Sequence, residues 1–301
     1  MPKERAAKAR DLREVQSYIG VFDSGVGGLT VLKELKRSLP NESFVYLGDT
    51  ARTPYGSRAD ETIIRYSLEC ANFLTNNFNV KLAVIACNTA SAVAEARVKA
   101  ESRCPVIGTI QQAAALAAES TRIGKIGVIG TEATIASGVY QKELKKLDSS
   151  LKIISKACPL FVPLVEQGMF SGEIVDKVVE YYLASLRDHG IDTLVLGCTH
   201  YPILREAIDR FFSRNIAIVE CSKAIALEAR RLLTEKNGLS AHSANGLSRF
   251  EDLFYVTDGS ERFDTMAALF LQNGSVRSIR VEDLNLKLPA RFKPKRRAAG
   301  S

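Results

Sequence analysis

Residues 193–200, Thr193-Leu194-Val195-Leu196-Gly197-Cys198-Thr199-His200, form a short apolar run that ends on a cysteine and then turns polar. Residues 82–89, Leu82-Ala83-Val84-Ile85-Ala86-Cys87-Asn88-Thr89, repeat the plan in the first third of the chain. Neither run alternates, which is the pattern of a parallel strand covered on both faces. A helical pattern follows each, over 90–102 and over 202–212. The repeated order of strand, cysteine and helix argues for parallel sheets with right-handed crossovers, arranged as two similar α/β lobes.

Working outward, the periodicity predicts strands over 18–23, 43–47, 82–86, 105–109, 125–130, 152–156, 193–197, 216–220 and 252–256. It predicts helices over 28–38, 60–78, 90–102, 132–147, 172–188, 202–212, 222–236 and 262–272. The expected fold class is α/β, with two pseudo-symmetric domains, each a mostly parallel sheet flanked by helices. The expected division is an N-terminal extension (1–16), a discontinuous first domain (17–112 plus 223–275), a second domain (113–222) and a C-terminal segment (276–301) ending in a basic tail. Residues 237–249 are rich in turn formers and read as a surface loop.

Composition narrows the function classes. A chain of 301 residues suits two lobes, and 46% hydrophobic with 25% charged residues is ordinary for a globular protein. Met1–Arg10 carries charges with no apolar stretch behind them, so it is not a secretory signal. No run approaches the roughly eighteen apolar residues of a membrane span, and the expected location is cytoplasmic. The net charge of +7 resides in the ends: residues 287–301 hold six basic groups and no acid, and residues 1–13 hold five basic groups against two acids. The remaining body is slightly acidic and has no nucleic-acid footprint, although a basic tail can hold an anionic surface loosely. Six cysteines in such a chain read as free thiols. Zinc would prefer Cys-x-x-Cys or paired histidines, and with three histidines and neither spacing, no metal is expected.

The chemistry-bearing residues cluster at strand ends. Asp23-Ser24-Gly25-Val26-Gly27-Gly28 follows the first strand but lacks the dinucleotide fingerprint spacing. Its glycines fit either a close backbone approach to a small ligand or a tight turn whose Asp or Ser caps the helix. Cys87 and Cys198 each precede a helix, whose positive end favours thiolate. A lone buried cysteine is ordinarily core packing, the reading given to Cys70, Cys104 and Cys158; two matched cases point instead to paired proton-transfer groups. Cys221 also ends an apolar run and opens a helix, without the polar continuation. His200 lies two residues beyond Cys198 and is either a proton-transfer partner or a capping or core histidine. Glu166 is either a buried carboxylate ordering His200 or a helix-start residue.

The motifs Asp23–Thr30, Gly48–Arg52, Pro54-Tyr55-Gly56, Ala86–Ser91, Gly127–Thr131 with Thr134-Ile135, Phe161–Glu166 and Gly197–Pro202 occur in order between about residues 18 and 272. Together they closely resemble glutamate racemase, in the aspartate/glutamate racemase superfamily. The resemblance implies cofactor-independent interconversion of L- and D-glutamate, in a homodimer, with the active site in the cleft between the domains. It implies that Cys87 handles the proton on the D-glutamate side, supported by Asp23, and Cys198 the proton on the L-glutamate side, supported by His200; Glu166, ordering His200, is counted with the catalytic candidates. Ser24, Tyr55, Gly56, Asn88, Thr89 and Thr199, with Asp23 and His200, match the family's substrate-contacting positions. It implies a role in supplying D-glutamate for peptidoglycan. The alternatives are an aspartate racemase of the same superfamily and a regulatory, gyrase-inhibiting binding role. Two departures from the family pattern stand near the expected crossings between domains: Gln111-Gln112, and Glu220-Cys221-Ser222.

Overall fold

The structure is a computed structural model that describes residues 17–236, 238–240, 251–271 and 276–285. The charged ends and most of the turn-rich stretch 237–249 fall outside the described residues. The chain runs β1 (Tyr18–Asp23), α1 (Leu29–Ser38), β2 (Phe44–Gly48), a 3-10 turn (Tyr55–Ser57), α2 (Asp60–Asn77), β3 (Val80–Ile85), α3 (Asn88–Glu101) and β4 (Val106–Ile107). It continues as α4 (Ile110–Ser120), β5 (Lys125–Gly130), α5 (Glu132–Ala136), α6 (Val139–Leu147), β6 (Lys152–Ala157), α7 (Phe161–Glu166), α8 (Glu173–Asp188) and β7 (Thr193–Gly197). A 3-10 turn (Tyr201–Leu204), α9 (Arg205–Phe211), β8 (Ala217–Glu220), α10 (Cys221–Glu235), β9 (Leu253–Val256), α11 (Ser260–Leu271) and β10 (Ser278–Arg280) complete it.

Two sheets result, one ordered β10-β9-β2-β1-β3-β4 and the other β6-β5-β7-β8, with every paired strand parallel. The unit β2-β1-β3-β4 has the same strand order as β6-β5-β7-β8, which makes the fold pseudo-symmetric. Cys87 follows the third strand of one unit and Cys198 the third strand of the other. The runs that read as doubly covered strands are so: β1, β2 and β7 are buried along their whole length. β6 lies at an edge and is partly exposed, with Lys152 and Lys156 in it, as expected where further strand pairing must be discouraged. α10 carries the chain back from the second sheet to the first and packs against both α1 and α4.

Five local expectations are corrected. Residues 132–147 form two helices, because Gly138 sits at φ +64, in the left-handed region that breaks the ladder. The predicted helix 202–212 opens as a 3-10 turn around Pro202 before α9 begins. α4 is an additional helix whose buried positions, Ile110, Ala113, Ala114 and Ala117, keep the helical period with alanine as the apolar residue. The short α7 is a further unforeseen helix. β10, in the segment read as C-terminal, adds a three-residue edge strand beside β9.

Candidate active site

Asp23 is the last residue of β1, Cys87 follows β3 by two residues as the residue before α3, and Cys198 directly follows β7. All three lie at the carboxyl ends of parallel strands, where open α/β sheets place their ligands. The structure brings them together across the two sheets. The Cys87 thiol donates to Ser24 Oγ at 3.6 Å. Asp23 Oδ2 accepts from the Gly25 amide at 2.9 Å, and Asp23 Oδ1 accepts from the Thr199 hydroxyl at 3.4 Å. Thr30 Oγ1 donates to the Thr199 carbonyl at 3.1 Å, a second tie between the lobes. Cys198 Sγ lies 3.8 Å from His200 Nδ1, and His200 Nε2 lies 3.4 Å from Glu166 Oε1. The latter approach pairs charges without hydrogen-bond alignment, since Nε2 has no hydrogen-bond partner among the described residues. Glu166 is the last residue of α7, not a helix-start residue, and its backbone carbonyl accepts from Arg262.

The electrostatics of the two thiols differ. Burial, then the Asp23 charge beside it, pushes the Cys87 thiol up to about 12, against the Ala90 amide and the Ser24 hydroxyl. The influence of Cys198 on Cys87 acts in the same direction, as two sulfurs sharing one site require. Burial also raises the Asp23 carboxyl, opposed by the His200 charge and by hydrogen bonds from Gly25, Gly28 and Thr199. For His200, burial alone would lower the imidazole; pairing with Cys198 and Glu166, and the Asp23 charge, outweigh it and lift the group to about 10. Glu166 in turn is held below the usual carboxylate range, first by His200. At neutral pH a neutral thiol therefore sits on the Asp23 side of the site and a cation faces the sulfur on the other.

The lobes are closed tightly over this site. Cys87 and Cys198 are only 5% and 6% exposed. A Cβ added to Gly27 would stand 2.5 Å from His200 Nδ1 and closer still to Thr199 Oγ1, so only glycine admits the Cys198 loop here. A Cβ on Gly56 would meet Thr131 Cβ at 2.5 Å, which seats the Pro54-Tyr55-Gly56 loop against the second lobe. Thr89 Oγ1 lies 2.9 Å from Thr131 Oγ1 and 3.3 Å from Thr134 Oγ1, and the last two are 2.9 Å apart. A cavity of about 210 Å³ beside the site is lined by Gly25, Val26, Thr53, Glu166, Arg262 and Phe263 among others, and by neither cysteine.

Other expected residues are placed less directly. The Tyr55 hydroxyl is buried and donates to Asp49, which also takes Arg52 at 2.6 Å and Thr257 at 3.0 Å. What that loop can turn toward a ligand is therefore backbone, not the phenol. Asn88 is 2% exposed, and its oxygen accepts from Tyr140 and from Thr109. Neither of those two carries a signal in the sequence; Thr131 lies in the Gly127–Thr131 motif, and only its cap of α5, accepting from the Thr134 amide at 3.3 Å, is a local signal. All six cysteines are free: Cys70 lies within 3.8 Å of the Tyr55 hydroxyl, Cys158 is fully buried and Cys104 is half-buried. No helix among the described residues is long and apolar enough to cross a membrane.

The family model for Asp/Glu/Hydantoin racemase matches residues 19–229. A glutamate racemase of Aquifex aeolicus is 46% identical over 253 residues, 84% of this chain and 93% of the relative. A glutamate racemase isoform of Bacillus anthracis superposes with a TM-score of 0.83 at 39% identity, covering 88% of this chain and 97% of that one. The Francisella tularensis glutamate racemase, solved in complex with D-glutamate, gives a TM-score of 0.82 at 37% identity, over 90% of this chain and 98% of that one.

Proposed function

The chain belongs to the Asp/Glu/Hydantoin racemase family, and we propose that it is a glutamate racemase that moves the α-proton between two thiols. The observation that supports this best is the pair of buried cysteines following equivalent strands of the two sheets, tied to each other through Ser24, Asp23 and Thr199. One thiolate removes the α-proton from one face of glutamate and the other thiol delivers a proton to the opposite face. Because the α-proton is a poor acid, the carbanion character needs donors fixed around the α-carboxylate in a site from which water is excluded. Ser24, Asn88, Thr89, Thr199 and the backbone of Tyr55 and Gly56 are assigned to hold the substrate. Cys87, kept as a thiol beside Asp23, is the proton donor in the L-to-D direction. Cys198 is the base in that direction, with the His200 cation balancing its charge and Glu166 helping to keep His200 protonated. The product, D-glutamate, would serve peptidoglycan synthesis.

The test is circular dichroism of the purified protein with L-glutamate, D-glutamate and both aspartate enantiomers. Glutamate enantiomers are equal in free energy, so both directions must show the same kcat/KM, an internal check on the assay. Cys87→Ser and Cys198→Ser should each lose most of the activity, because every turnover uses both sulfurs. Near-wild-type turnover in either variant would refute the two-thiol reading. Turnover of aspartate alone would move the assignment to that substrate, and no optical change with either amino acid would remove the enzyme reading.

A further inference from the structure

Asn88 stands at the N-terminus of α3, next to Cys87, with its side-chain oxygen hemmed in by three groups. The Tyr140 hydroxyl donates to Oδ1 at 2.7 Å and the Thr109 hydroxyl at 3.0 Å, while Cys221 Sγ lies 3.3 Å away. An amide oxygen has two lone pairs, and the two hydroxyls fill them. The single proton of the Cys221 thiol has two nearer acceptors, the Tyr140 oxygen at 3.1 Å and the Leu196 carbonyl at 3.2 Å. Burial keeps the Cys221 thiol up at about 12 and raises Tyr140 well above the ordinary phenol, so these groups are neutral and keep their protons. The three groups come from three separate pieces of chain. Thr109 precedes α4, where the chain leaves the first sheet; Tyr140 belongs to α6; and Cys221 opens α10, where the chain returns.

The nitrogen of the same amide is the opposite case. Nδ2 is buried and has no hydrogen-bond partner among the described residues. Pinning Oδ1 fixes where the two Nδ2 protons point, on the side away from Tyr140 and Thr109. A free amide would rotate to exchange its ends, and an oxygen facing a carboxylate repels it. We propose that Tyr140 and Thr109 are positioning residues that lock the Asn88 amide with its N–H groups presented to a carboxylate oxygen of the amino-acid substrate, and that Cys221 braces Tyr140 in that pose. This rests on the assignment of Asn88 to the substrate-holding set. A lock fixed in advance acts on binding, because the substrate finds its donors already aimed.

The experiment measures kcat, KM and melting temperature on glutamate for Tyr140→Phe, Thr109→Val and Thr109→Ser, alone and combined with Asn88→Ala. The expected result is a KM raised about tenfold by Tyr140→Phe and by Thr109→Val, with kcat changed less. Thr109→Ser, which keeps the hydroxyl, should stay within about twofold of wild type. In the Asn88→Ala background Tyr140→Phe should add almost nothing, since both substitutions then remove one interaction. If Tyr140→Phe multiplies the Asn88→Ala loss by its full single-variant factor, or leaves KM unchanged, the lock is refuted. If Thr109→Val and Thr109→Ser behave alike, the lock is also refuted, and that pair carries the test should Tyr140→Phe melt early. An Asn88→Ala enzyme with wild-type kcat and KM would instead overturn the assignment of Asn88 to the substrate, a separate outcome.

Discussion

Gly27→Ala is the substitution that most directly tests whether the closed lobes make the site. The added Cβ would lie 2.5 Å from His200 Nδ1, and ordinary contact begins at 3.4 Å, so the neighbour must yield by about an ångström. Both of the nearest neighbours, Thr199 and His200, are buried and follow Cys198 directly. The loop cannot withdraw easily, because at Gly197 a Cβ would meet the Ile129 carbonyl at 2.6 Å, which shows how closely β7 is backed there. The displacement must therefore open the gap between the Asp23 loop and the Cys198 loop. A misplacement of about 1 Å in a reacting group costs roughly 100-fold in rate, equivalent to about 2.7 kcal/mol of barrier. The assay is kcat by circular dichroism on L- and D-glutamate, with kcat/KM falling by one common factor in both directions. Gly138→Ala is the comparator: its φ of +64 strains any side chain, but nothing lies within 4 Å of the added Cβ. It should lose about 1–2 kcal/mol of stability and keep wild-type kcat. A folded Gly27→Ala enzyme with kcat within threefold of wild type would refute the claim that this contact sets the working geometry.

Four further outcomes are expected. Glu166→Gln removes a charge 3.4 Å from His200 Nε2; at dielectrics between water and the protein surface that is worth roughly 1 to 5 kcal/mol, so the His200 midpoint should fall from about 10 by roughly one to four pH units in an NMR titration, and an unmoved midpoint would refute the pairing. Because the folded midpoint lies above the ordinary 6.5, His200 stabilises the fold fully below pH 6.5 and loses that contribution as pH rises through about 10, a loss that Glu166→Gln should shift to lower pH in melting curves. Iodoacetamide at pH 7.5, followed by mass spectrometry, should label the half-buried Cys104 before Cys87, whose thiol is buried and held up to about 12; early labelling of Cys87 would contradict its neutral state. Removing residues 287–301 should leave glutamate turnover unchanged, and a large loss would show that the basic tail acts on the site.

What the sequence discloses here follows from the range of the forces involved. β1, β2, β5 and β7 were legible because a strand covered on both faces is apolar at nearly every position between its ends, a signal contained within five or six residues. α4 escaped notice because its core face is mostly alanine, and β10 because three residues at an edge, Ser278-Ile279-Arg280, have no face to bury. The break at Gly138 depends on a backbone angle and leaves no hydropathy trace. At the site, strand-end placement singled out Asp23, Cys87 and Cys198, and closeness in the chain added His200. The partners of Asn88 were not legible, since Thr109, Tyr140 and Cys221 are brought to it only by the two crossings of the chain between sheets. Tyr55 shows the converse: its motif stands out in the sequence, while its hydroxyl faces Asp49, a contact of the framework.

The two cysteines look interchangeable in the sequence, and equivalent strand positions in the two sheets make them topologically so. Their surroundings are nonetheless opposite in charge: a buried carboxyl, Asp23, on the side of Cys87, and an imidazole kept protonated to about 10 on the side of Cys198. A catalyst for mirror-image substrates does not have to be a mirror image itself. The equilibrium constant belongs to the two glutamates, so kcat/KM is bound to be equal in the two directions whatever the protein does. No such constraint applies to kcat or KM singly. An enzyme that rests with a neutral Cys87 is poised for one direction and must shift a proton before it can begin the other. The asymmetry of the site should therefore appear as unequal kcat values in the two directions, matched by equally unequal KM values. Glu166→Gln, by weakening the charge on the His200 side alone, should change that inequality while the ratio kcat/KM stays common to both directions.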